Sequence, residues 1–125
     1  MPSAADPDPD ASAPSAPLAL LLLVVAAGGV LGSLARWGLV LALPDLLTTL
    51  AINVAGAFLL GVLVARRPDG TWSRPFLGTG VLGGFTTFSA FAVQAVDASL
   101  PTGIAYVAGT LVLGIAAADL GLRLR

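Results

Sequence analysis

The chain has 125 residues, of which 57% are hydrophobic and only 10% charged, with a mean hydropathy of +0.95, whereas a soluble domain carries about 25% charged residues. Its charges are 6 Arg and 7 Asp, giving a net charge of −1, and Lys, Glu, His and Cys are absent. This excludes a disulfide framework, a thiolate nucleophile, an ordinary zinc site, His-based acid–base chemistry and a basic stripe for nucleic acid.

Crossing a hydrocarbon core takes about 20 helical residues, so the length accommodates four crossings of a lipid bilayer. Residues 1–17 hold five Pro, five Ala, three Ser and three Asp. So many prolines prevent a continuous helix, and Asp6-Pro7-Asp8-Pro9-Asp10 repels itself. We read 1–17 as a disordered, solvated tail; it is acidic where a secretory signal would be basic, and is expected to stay on the mature protein. Pro44, Pro68, Pro75 and Pro101 then separate the apolar runs 18–43, 46–65, 76–96 and 102–122. In lipid each run must satisfy its own backbone, so each is expected to be a helix. The predicted architecture is an all-α membrane domain spanning 18–125, with sequential helices antiparallel and adjacent. Small residues recur at spacing four in Gly28/Gly32, Ala57/Gly61, Gly80/Gly84 and Ala105/Gly109, which suits close helix packing.

In the first run, Arg36 beside Trp37 suits a snorkelling arginine at the interface. In the second, Asn53 places an amide near mid-membrane with Thr49 one turn earlier. An unpaired amide there is costly, so Asn53 either bonds a neighbouring helix or lines a polar path. The third run reads Gly80-Val81-Leu82-Gly83-Gly84-Phe85-Thr86-Thr87-Phe88-Ser89-Ala90-Phe91. Two glycines followed by two β-branched residues are a poor continuous helix, and a mid-membrane break is predicted. Unwound carbonyls there can coordinate a cation such as Na⁺, and the hydroxyls of Thr86, Thr87 and Ser89 can face an anion. Phe88 and Phe91 share a face; they are either packing residues or present positive ring edges to an anion. In the fourth run, Tyr106 and Thr110 put two hydroxyls on one face, and Asp119 lies near Arg123 in the last turns.

Three motifs in order resemble the Fluc/CrcB family of small fluoride channels: the 28–37 stretch ending in Arg36-Trp37, the Asn53-centred 49–58 stretch, and Gly80 through Phe91. The similarity covers about residues 20–122. It implies a fluoride-selective channel assembling as an antiparallel dimer, with narrow fluoride pores and a structural Na⁺ at the dimer interface. The family's pore positions fall on Asn53, Phe88 and Phe91, with a polar track at Thr87, Ser89, Tyr106 and Thr110. The carbonyls that hold Na⁺ match Gly83 and Thr86. Ala90 departs from the pattern, since relatives often carry Thr there, which removes a donor at that position. The channel would export cytoplasmic fluoride passively.

Two other readings are a non-transporting assembly subunit and a small multidrug exporter. The exporter class resembles proton exchange at a membrane-embedded glutamate, and this chain has no glutamate. An enzyme is not expected, for want of a nucleophile–base pair at reachable spacing. With four crossings, Arg66, Arg67, Arg74, Arg123 and Arg125 fall on one side, against Arg36 alone toward the other. That bias predicts a cell-membrane protein with both termini cytoplasmic. It further predicts an oppositely oriented homologue as the dimer partner, with a second copy of the chain as the alternative.

Overall fold

The computed structural model describes residues 17–66 and 70–124. The expected tail up to residue 16, together with Arg67, Pro68 and Arg125, lies outside the described residues. Four helical spans run Leu18–Ala42, Leu46–Arg66, Pro75–Asp97 and Leu100–Arg123, each long and apolar enough to cross a membrane. The first two are α1 and α2. The third span consists of a π-helical stretch, Pro75–Leu82, a single turn α3, Gly83–Phe85, and after an interruption α4, Phe88–Asp97. The fourth is α5, Leu100–Arg123, with Pro101 in its first turn, where the missing N–H is tolerated. The all-helical architecture and the span limits agree with the sequence reading to within about two residues. The π-helical stretch was not anticipated.

Helix adjacency differs from the expectation. The heaviest packing joins α2 to α5, and α1 to the π-helical stretch and α3, while α1 and α2 scarcely touch. Each of the two close pairs is parallel. Gly28 lies against Gly80 and Val81, and Gly32 against Val81 and Phe85. Gly61 lies against Ala118 and Leu122, and Gly121 against Phe58 and Val62. The reason is the distribution of small residues. Of the ten fully buried residues among those described, seven are glycine, and the others are Thr49, Ile52 and Tyr106. Apolar side chains gain nothing by leaving a lipid environment, so backbones approach where side chains are missing. A Cβ on Gly28, Gly32, Gly61 or Gly84 would collide with a carbonyl of the neighbouring helix. Gly109 is different: a Cβ there would meet nothing within 4 Å, so Ala105/Gly109 is no packing motif within this chain. Gly103, against the Ala95 carbonyl, and Gly121 do that work in α5 instead.

Candidate functional site

The interruption in the third span falls at the threonines. Thr86 (φ −76°, ψ 155°) and Thr87 (φ −145°, ψ 123°) are extended, whereas Gly83 (φ −65°, ψ −35°) stays helical. The sequence placed the break in the right motif, yet the glycine pair is not where the chain unwinds. Gly84 is needed bare to clear the Gly29 carbonyl, while β-branched threonines adopt extended backbone readily. Three devices stabilise the break. The Thr86 N–H and hydroxyl both donate to the Leu82 carbonyl, at 3.0 and 2.9 Å. The Thr87 hydroxyl caps α4 by accepting from the Ala90 N–H at 3.3 Å. Asn53 Nδ2 donates to the Thr87 carbonyl at 3.0 Å, and Asn53 Oδ1 accepts from the Thr87 N–H at 2.9 Å. Both amide atoms are therefore engaged across the helix interface, with one Nδ2 hydrogen left over.

Beside the break lies a groove of about 420 Å³ lined by residues that include Asn53, Gly83, Thr86, Thr87, Phe88, Phe91 and Thr110. Seven of the nine sequence-predicted site residues thus meet in one place. Among the described residues no ionisable side chain lines the groove; its polar surface is amide, hydroxyl and carbonyl. The Thr110 hydroxyl is buried without a hydrogen-bond partner among the described residues. Ser89 does not line the groove, but its hydroxyl stands 3.3 Å from that of Thr87. Tyr106 also lies off the groove, 3% exposed, and its ring packs 5.3 Å from that of Phe91, which in turn is 5.7 Å from Phe88. Phe88 itself is 79% exposed on the groove's open side.

One polar residue at the site is not singled out in the sequence, and a second is placed elsewhere by it. Gln94, the chain's one glutamine, accepts from the Tyr106 hydroxyl at 3.0 Å. The signal was available: Gln94 is an amide inside an apolar span, one turn after Phe91. The second is Arg36, which does not snorkel away. Its Nε donates to the Gly84 carbonyl at 3.2 Å, joined there by the Ser33 hydroxyl at 3.4 Å. The carbonyls of Gly83 and Thr86, by contrast, accept no hydrogen bond among the described residues. No group of three His, Cys, Asp or Glu that could hold a metal occurs among the described residues, so backbone oxygen is the ligand type on offer to a hard cation.

Comparison with known proteins accords with this arrangement. A family model described as "CrcB-like protein, Camphor Resistance (CrcB)" matches residues 23–122. The chain is 50% identical over 99 residues to a protein of Rhodococcus jostii (strain RHA1) named Fluoride-specific ion channel FluC 1, covering 79% of this chain and 80% of that one. It is 43% identical over 111 residues to Fluoride-specific ion channel FluC of Paracoccus denitrificans (strain Pd 1222), covering 80% and 90%. It is 44% identical over 117 residues to the protein of the same name in Agrobacterium fabrum, covering 82% and 94%. These relatives are named as ion channels rather than enzymes. With four membrane-crossing helices, a broken third span and a match over 23–122, the chain belongs to the CrcB family.

Proposed function

We propose that this chain is a subunit of a fluoride channel, and that fluoride passes the groove beside the broken third span. The observation that carries this reading is the convergence of Asn53, Thr87, Phe88, Phe91 and Thr110 on one groove without an ionisable side chain. Fluoride is small and strongly hydrated, and a narrow path must replace its water with donors. The spare Asn53 N–H, the unpartnered Thr110 hydroxyl and the Thr87–Ser89 hydroxyl pair are such donors, and the edges of Phe88 and Phe91 add weak positive character. Neutral donors suit conduction, since an ion must bind well enough to enter and weakly enough to leave. Transport is passive. A membrane potential negative inside favours anion exit by about 2.3 kcal/mol per 100 mV, so the direction is export.

The Gly83 and Thr86 carbonyls fit a structural Na⁺, which would bring positive field to an otherwise neutral site. The exposure of Phe88, the most exposed large apolar side chain at the groove, supports a dimer in which a partner closes the open side. Arg66, Arg74 and Arg123 lie at the helix ends that share one side of the bundle, which supports cytoplasmic termini. The test is fluoride efflux from liposomes holding the purified protein, read with a fluoride electrode. Efflux that spares chloride is expected. Folded protein with no efflux would overturn the channel reading and favour an assembly subunit.

A further inference from the structure

We propose that Arg36 is a positioning residue for the break: with Ser33 it ties the Gly84 carbonyl to α1 and so fixes which carbonyls of the broken turn stay available in the groove. A helix ending at Phe85 leaves its last four carbonyls without intrahelical partners. In lipid no water replaces those partners. The chain satisfies them selectively. Leu82 accepts from Thr86, Gly84 accepts from Arg36 and Ser33, and beyond the break Thr87 accepts from Asn53. The carbonyls of Gly83, Phe85 and Thr86 accept no hydrogen bond among the described residues, and of these Gly83 and Thr86 line the groove.

Charge makes the choice of arginine specific. The end of a helix carries the negative pole of its dipole, and a cation there is favourable within the last turn. Arg36 meets that pole without a carboxylate: among the described residues the one ion pair is Asp119–Arg123, at the far end of α5. Its position less than two turns from Ala42 would also let the side chain reach the interface, yet the guanidinium turns inward to the break. The contact needs α1 and α3 held close, which Gly29 against Gly84 provides. Arg36 and Ser33 thus clamp the half-helix from outside the groove, as Asn53 clamps the residue beyond it from within.

The functional consequence rests on the reading of the groove as an ion path, but the clamp can be tested apart from transport. Gly84-Phe85 is the chain's one Gly-Phe pair, so protein labelled with ¹³C′-glycine and ¹⁵N-phenylalanine gives a single carbonyl resonance for Gly84. In Arg36→Met that resonance is expected to move upfield as its hydrogen bond is lost, with amide exchange across 85–89 rising about tenfold. Arg36→Lys, which restores the charge, is expected to return it part of the way. If Arg36→Met does not fold, Arg36→Gln and Ser33→Ala are read the same way. An unmoved resonance and unchanged exchange in a folded variant would overturn the proposal. Fluoride efflux from the same wild-type preparation separates the two failures: silent liposomes sink the channel reading, while the labelled carbonyl still decides the role of Arg36.

Discussion

Asn53 holds both backbone polar groups of Thr87 with one side chain, donating to its carbonyl at 3.0 Å and accepting from its N–H at 2.9 Å. A carboxamide carries donor and acceptor at the spacing of a peptide group, so it gives the extended Thr87 N–H an acceptor and adds a donor to a carbonyl that, at the N-cap of α4, already accepts the first intrahelical bond. The same residue faces the groove. Asn53 therefore joins the shape of the broken span to the polar surface of the site.

Asn53→Asp is expected to abolish most fluoride flux. The carboxylate keeps an acceptor for the Thr87 N–H but presses an anion against the Thr87 carbonyl and repels the permeant ion. Losing the Nδ2 donor removes a hydrogen bond worth about 0.5–1.5 kcal/mol from the break. Electrode-recorded efflux should fall at least about tenfold; wild-type flux in folded protein would remove Asn53 from the path.

Phe88 and Phe91 separate stability from transport. Phe88 is 79% exposed, so Phe88→Ile should change subunit stability by less than about 0.5 kcal/mol. Phe91 stacks on Tyr106 and Phe88, and Phe91→Ile should cost about 1 kcal/mol. Both variants are nonetheless expected to impair efflux. If both conduct normally, the rings serve packing alone.

Among the glycines, Gly84→Ala and Gly109→Ala should diverge. A Cβ on Gly84 strikes the Gly29 carbonyl, and overpacking of this kind costs about 1–3 kcal/mol. A Cβ on Gly109 meets nothing within 4 Å, so Gly109→Ala should leave the fold intact or raise helix stability by up to about 1 kcal/mol. Thermal unfolding in detergent reads both. Loss of assembly in Gly109→Ala without loss of fold would mark that face as a contact between subunits.

Sodium dependence is tested at the break. A Cβ on Gly83 meets only the Gly78 carbonyl, at an ordinary 3.8 Å. A loss in Gly83→Val therefore reports on the cation or the partner rather than on crowding of the Cβ within this chain. Thr86→Ala keeps its carbonyl and gives up the hydroxyl bond to Leu82. We expect Gly83→Val to remove the effect on flux of exchanging Na⁺ for a large organic cation, and Thr86→Ala to retain it. Wild-type flux indifferent to that exchange would dismiss the sodium site.

Orientation follows from arginine. Arg66, Arg74 and Arg123 mark one end of the bundle, and Arg36, the remaining arginine of the described residues, is spent on a backbone carbonyl. A reporter active only in the cytoplasm, fused after residue 125, should be active, and one active only outside should be silent. Equal signals from both would show insertion in two directions and make a second copy a sufficient partner.

Much of this protein was legible in the sequence because the membrane restricts the options. Prolines and apolar run lengths gave four spans, since a backbone in lipid must be helical unless something buries its irregularity. The order Gly-Gly-Phe-Thr-Thr-Phe-Ser located the break, and the lone Asn53 marked the site. Tertiary structure decided the rest. Which helices pair depends on matching bare glycines across two surfaces, Gly28 with Gly80 and Gly61 with Gly121, and spacing within one helix does not reveal its partner. Whether Arg36 snorkels or turns inward depends on where a helix in another part of the chain ends, because only a freed carbonyl such as that of Gly84 competes with water for the guanidinium. Only the fold brings Gln94 to 3.0 Å from the Tyr106 hydroxyl. Local sequence determines which backbone groups are left unsatisfied, and packing determines which side chain reaches them.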